Sequence, residues 1–245
     1  VSGIVNDFGA GVPSRFTPIN AQSDSDEFVI GVKQIYQGAW NPIMGLTDTY
    51  SRHIWGIISD PGTFKHPFTG ETFPVRVDWQ VETAGPNDKL TVPQKAIIWN
   101  PTLQKWENIS QGTLATSKVT FDFKFSNWHN GQKMDMNDIL HSLYFTVDWG
   151  TQVDENDKTF DTEYTPRAAQ MIESIIGVNQ IDDDTLEVYV NYWHFDEGEI
   201  ADWGDTWSVM PWEISVAMEK AVIDGKVSFS RSGATSKNIN WLSLI

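Results

Sequence analysis

Apolar and polar positions alternate most cleanly along Val119-Thr120-Phe121-Asp122-Phe123-Lys124-Phe125. A period of two puts every second side chain on one face, so this run predicts a half-buried strand. Asn130-Gly131 follows, a dipeptide that suits a tight turn because its backbone reaches positive φ cheaply. Beyond it, Ile139, Leu140, Leu143, Tyr144 and Val147 recur at helical spacing behind Asp135 and Asp138. That spacing predicts an amphipathic helix with an aspartate at its N-cap. Strand, turn and capped helix read as one unit. A second alternating run, Thr185-Leu186-Glu187-Val188-Tyr189-Val190, follows Ile181-Asp182-Asp183-Asp184. Aspartates suit a turn because their carboxylates accept hydrogen bonds from the backbone just ahead.

The rest of the pattern is weaker. A helix is expected over residues 48 to 59, where Tyr50, Ile54, Trp55, Ile57 and Ile58 share a face and Asp60-Pro61-Gly62 ends the run. A helix from about 166 to 176 opens with Pro166 in its first turn, and another runs from about 210 to 223 behind Pro211. Phe28-Val29-Ile30-Gly31-Val32 reads as a buried strand, and strands are expected within Val75 to Val81 and Ala96 to Trp99. Residues 1–27 are rich in Gly, Pro, Ser and Asp without periodicity and read as a lead-in to a domain over 28–245. The acids between Asp196 and Asp205 are expected in loops, solvated and diverging. No fixed-period repeat occurs. The fold class is mixed α and β, a twisted mixed sheet with helices packed on it.

Charge narrows the function. Asp and Glu outnumber Lys and Arg 33 to 17, a formal net charge of −16. The resulting negative potential repels polyanions, and no Lys/Arg stripe exists to neutralise phosphates; nucleic acid is not the expected partner. Cysteine is absent, which removes thiol catalysis, cysteine zinc sites and disulfides. No apolar run approaches the roughly 18 residues of a membrane span. Val1 to Val5 lacks the charged start and long apolar stretch of an export signal, so the chain reads as mature or excised from a longer one. Asn108-Ile109-Ser110 has the N-glycosylation acceptor pattern, which is too short to assign anything from sequence alone.

Candidate chemistry is sparse. His53, His66, His129, His141 and His194 lack the i, i+4 pairing of a helical zinc site. Asp154-Glu155-Asn156-Asp157-Lys158 resembles the start of a calcium loop, but Lys158 and the missing central Gly argue against one. A carboxylate pair for glycoside hydrolysis is conceivable among Asp196, Glu197, Glu199, Asp202 and Asp205, although such acids ordinarily just solvate an acidic chain. No nucleophile elbow, phosphate loop or dinucleotide fingerprint occurs. What stands out is twelve Trp. Any one of them covers core as its ordinary role; several fall in expected loops, where an amphipathic indole can stack on a sugar or pack a peptide side chain.

Four segments resemble the family 5 extracellular solute-binding proteins, the dipeptide/oligopeptide-binding type of ABC importers. Lys118 to Phe125, then Trp128-His129-Asn130-Gly131-Gln132, then Met136-Asn137-Asp138-Ile139-Leu140-His141-Ser142-Leu143 is similar to that family's strand, [WF]-[HS]-[DN]-G turn and capped helix. Lys133 stands where a Pro is usual, and Asn137 near the usual Glu. Ile175 to Val188 resembles its hairpin, Val209-Met210-Pro211-Trp212-Glu213 its Pro before a helix, and Phe28 to Val32 with Asn41-Pro42 its first strand and loop.

The resemblance covers most of residues 28 to 220 and implies part of the N-terminal lobe of a bilobal periplasmic-binding-protein-like (type II) fold, full members being far longer. It implies a binding protein rather than an enzyme, capturing an oligopeptide or similar small solute outside the membrane. The partner implied is an ABC-type permease, with the full-length protein anchored at the cell surface and no cofactor. Ligand contacts carry over to Trp40, Leu46, Thr47 and Asp48 in the loop after the first strand, and to Trp149 and Tyr164 after the capped helix. Asp48 would meet a ligand amine, and Trp149 and Tyr164 would form walls. An oligosaccharide-binding member, a carbohydrate-active enzyme domain and a structural surface module are the alternatives.

Overall fold

The computed structural model describes residues 40–43, 45, 46, 51, 52, 55 and 59–242. The lead-in, the strand expected at 28–32 and most of the helix expected over 48–59 lie outside the described residues.

The chain runs through the short strands β1 (Trp40–Asn41), β2 (Gly45–Leu46), β3 (Thr63–Lys65) and β4 (Thr72–Pro74) to β5 (Val77–Thr83) and β6 (Leu90–Thr91). There follow β7 (Ile97–Asn100), β8 (Lys105–Asn108), β9 (Leu114–Ala115) and β10 (Ser117–Phe123). Next come the helices α1 (Met136–Gly150) and α2 (Thr165–Ser174), the hairpin β11 (Ile175–Gln180) and β12 (Thr185–Val190), then α3 (Glu197–Gly204) and α4 (Trp212–Ile223). The described chain ends with β13 (Val227–Ser228), α5 (Arg231–Lys237) and β14 (Asn240–Trp241). Six strands form one sheet in the order β5-β10-β12-β11-β7-β8. Every pair in it is antiparallel; the sheet is not mixed, while the α-plus-β class is as expected.

The alternating run reads out directly. Ser117, Val119, Phe121 and Phe123 of β10 are buried, while Lys118 and Thr120 are half-buried and Asp122 exposed on the other face. Val119 stands opposite Val188 and Val81, and Phe121 opposite Leu186 and Trp79. This face meets Met136, Ile139, Leu143 and Val147 of α1, with Ile200 and Ala201 of α3, in the main core. Each such fully buried large side chain stabilises the fold by about 2 kcal/mol. On the far face Lys118 pairs with Glu82 at 2.7 Å. Tyr189 there joins Val92, Ala96, Ile109 and Ala115 in a smaller core.

Asp135 caps α1 as its position predicts: its Oδ1 accepts from Asn137 N at 2.8 Å, and Asp138 Oδ2 accepts from Asp135 N at 3.0 Å. At the other end Gly150 lets α2 approach, since a Cβ there would stand 2.6 Å from Ala168 Cβ. α2 stops at Ser174, two residues short of the expected end, because Ile175 opposes Val190 and Ile176 enters the hairpin. The Asp182 carboxylate accepts from the backbone of Asp184 and Thr185, as turn chemistry requires.

The stretch from Asp196 to Asp205 departs from expectation. It is a helix, not a loop: Asp196 caps α3 by accepting from Gly198 N at 2.9 Å, and Ile200 and Ala201 are buried. Within eight residues those apolar positions are too few to display a helical period against so many acids.

Candidate functional site

The hairpin of β1 and β2 turns at Pro42 and Ile43, with Trp40 opposite Leu46 and Gly45 at φ +59°. Ile43 is 1% exposed and plugs into a cluster of Phe145, Trp149, Met218, Val222 and Phe229. Arg167 of α2 donates to the Ile43 carbonyl at 3.3 Å, and Arg52 to that of Leu46 at 2.8 Å. The hairpin is thus seated on α1, α2 and α4. Between it and these helices lies a cavity of about 140 Å³, lined by Pro42, His141, Phe145, Tyr164, Val209 and Met210 among others.

Of the residues singled out by sequence, Leu46 is half-buried on the hairpin and Trp40 contributes backbone pairing there. Thr47 and Asp48 lie outside the described residues. Tyr164 lines the cavity, its hydroxyl 3.2 Å from Thr146 Oγ1. Burial raises the Tyr164 phenol pKa, keeping it a neutral hydrogen-bonding group. Trp149 is 1% exposed, beneath the hairpin, with Ile43 and Phe145 packed against it.

Trp149 leads to a polar cluster that sequence did not flag. Its indole Nε1 donates to Glu219 Oε2 at 2.7 Å, Tyr144 OH donates to the same oxygen at 2.9 Å, and His141 Nε2 lies 2.9 Å from Oε1. Three donor groups thus surround one buried carboxylate. Burial first, then the Glu219 charge, pushes the Tyr144 phenol up, so Tyr144 remains a donor. The available signal was a lone acid between Met218 and Val222 on the inward stripe of α4.

On the other side of Trp207, Ser208 and Val209 the surface opens into a cleft of about 450 Å³. Its walls include Trp55, Trp128, Pro211 and Ile214, together with Arg76 and Asp60. Arg76 lies 5.3 Å over the Trp207 ring, pairs with Asp60 at 3.4 Å and donates to Ser126 Oγ at 2.6 Å. Its charge is balanced within the wall. Trp207 stacks near-parallel on Phe123 and Phe125 and donates to the Asp60 carbonyl at 2.8 Å.

Two aspartates hold these walls. Asp138 Oδ2 accepts from Trp128 Nε1 at 3.3 Å, and its Oδ1 from Trp212 N at 3.0 Å, joining the tight turn to the start of α4. Burial raises its pKa. Asp205 accepts from Thr63 N at 3.0 Å and Trp207 N at 2.9 Å, and burial pushes its pKa up to about 6.

The remaining acids of α3 point elsewhere. Lys65 takes Glu199 at 2.8 Å and Asp202 at 3.1 Å, and Thr63 Oγ1 donates to Asp202 at 2.7 Å. None of them lines the cavity or the cleft. Among the described residues no group of three His, Asp or Glu is placed to hold a metal ion, and no helix is long and apolar enough to cross a membrane. What the arrangement offers is a joined pair of recesses with aromatic and aliphatic walls, polar edges and an ion pair, suited to holding an amphipathic ligand.

No family model and no curated protein matches the chain. Among solved structures, it is similar to the ABC transporter-associated periplasmic binding protein DppA from Helicobacter pylori, determined in complex with the peptide STSA. The TM-score is 0.39 at 15% sequence identity, over 71% of this chain, which spans 29% of that protein's length.

Proposed function

We propose that this chain is part of one lobe of an extracellular solute-binding protein that captures an oligopeptide or similar small solute and delivers it to an ABC-type permease. One observation carries the reading. The segments to which the sequence resemblance assigns ligand contact, or the approach to α4, are far apart in the chain, yet Pro42, Tyr164, Val209 and Met210 line a single cavity. The ligand site is this cavity with the hairpin above it, Leu46 standing on the hairpin and Tyr164 at the start of α2, and the ligand contacts at Trp40, Thr47 and Asp48 are carried over from the sequence resemblance. Trp149 acts from below by seating Ile43. A second lobe closes over the ligand through contacts available only in the closed state.

The carboxylate-pair alternative has less support, because Glu199 and Asp202 are drawn to Lys65 and Thr63 and no acid of α3 lines either recess. Trp128 and Trp55 in the adjoining cleft keep an oligosaccharide as the alternative ligand.

The test is calorimetry and product analysis on the full-length protein, with peptide and oligosaccharide mixtures. Intact peptide recovered from the protein, and affinity lowered about tenfold by Tyr164→Phe, which keeps the ring packed on Phe145, are expected. Release of new amines or reducing ends, abolished by Glu197→Gln or Glu199→Gln, overturns the reading.

A further inference from the structure

Among the described residues β8 is an outer strand of the six-stranded sheet, paired with β7 on one side and open on the other. An open strand edge is a template for pairing with another chain unless something covers it. Asn108 is the last residue of β8 and its side chain is exposed. Its amide makes one long contact, 3.5 Å to the Lys95 carbonyl. Ile109 turns inward and donates its N–H to Ala96 O at 2.8 Å, and Ser110 is exposed again. The Asn-x-Ser pattern therefore presents both polar members to solvent and hides the middle one.

The same β-hairpin supplies its own control. Asn100-Pro101-Thr102 also places a hydroxyl two residues after an asparagine, but proline in the middle bars it as an acceptor. Asn100 is moreover engaged: Oδ1 accepts from the backbone of Thr102 and Leu103, and Nδ2 donates to Glu107. Asn108 has no comparable commitment in the fold.

We propose that Asn108 carries an N-linked glycan that shields the open edge of β8. The attachment rests on the extracellular reading above, since the donor is a lipid-phosphate-linked oligosaccharide met on export. In the step, Nδ2 forms a bond to the anomeric carbon and gives up one proton. The bond from that carbon to the phosphate oxygen breaks, and the lipid phosphate leaves. A bulky polar chain on an exposed strand terminus adds no contact within either core and obstructs edge-to-edge pairing.

Trypsin separates the two asparagines, Asn100 falling in residues 96–105 and Asn108 in residues 106–118. The experiment is mass spectrometry of tryptic peptides from the full-length protein purified from its native cells, with the cells fractionated in parallel. Peptide 106–118 is expected to carry added sugar mass and 96–105 none. Asn108→Gln and Ser110→Ala each remove the added mass, whereas Ser110→Thr retains it. An unshifted 106–118 peptide from protein outside the cell overturns this inference alone; the same peptide from protein confined to the cytoplasm overturns the extracellular reading with it.

Discussion

Gly62 and Asp205 share a space that has no room for another atom: a Cβ on Gly62 would stand 2.3 Å from Asp205 Oδ2. The carboxylate is held there by the backbone N–H groups of Thr63 and Trp207. Through this contact the loop before β3 fixes the segment that divides the cavity from the cleft.

Gly62→Ala must therefore displace a hydrogen-bonded carboxylate. Overpacking of this kind costs about 1–3 kcal/mol. A lowered urea midpoint is expected, with altered fluorescence from Trp207; an unchanged midpoint would show that Asp205 yields freely.

Asp205 also makes stability depend on pH. Its folded pKa, raised to about 6 from the ordinary 3.8, means that the folded state binds more protons than the unfolded state between those values. Stability is thus lost as pH rises through that window and regained as it falls. At about 1.4 kcal/mol per pKa unit the effect is on the order of 3 kcal/mol. Melting followed from pH 7 to pH 4.5 should contain about 2 kcal/mol of this gain, and the Asp205→Asn variant should lack it. Identical pH profiles for the two proteins would refute the assignment.

Gly131 has φ +86° and nothing within 4 Å of where its Cβ would be. The cost of Gly131→Ala is then purely conformational, about 1 kcal/mol, because an L side chain disfavours that region. Equilibrium unfolding measures it directly, and a neutral outcome would mean that the turn relaxes to another type.

Glu219 serves three donor groups in a buried place. Glu219→Leu leaves the Trp149 and Tyr144 donors without an acceptor, at roughly 1–3 kcal/mol for each buried group. Glu219→Gln keeps a carbonyl oxygen and should cost distinctly less. Equal losses for the two variants, read by chemical denaturation, would show that shape rather than hydrogen bonding matters there.

Much of this was legible along the chain. Alternation at Val119 to Phe123, the Asp135 cap, the aspartate turn before β12 and Pro211 ahead of α4 each depend on near neighbours, and each forms where the local pattern puts it. The candidate site was legible only in part. Tyr164 lines the cavity, but His141, Trp207 and Arg76 carry no local mark of their roles.

Sequence by itself determined the elements with a clear period, the acidic character, and the absence of cysteine chemistry. It did so because side-chain alternation, capping and turn preferences act over a few residues. Tertiary structure alone decided that Glu219 meets Trp149, 70 residues away, and that Asp205 meets Thr63, 142 residues away. It also made a helix of the stretch from Asp196 to Asp205, by burying Ile200 and Ala201. The physical reason is burial. Whether a carboxylate is a solvated surface charge or the acceptor that fixes a wall depends on which distant donors the packed core brings to it, and no periodicity along the chain encodes that distance.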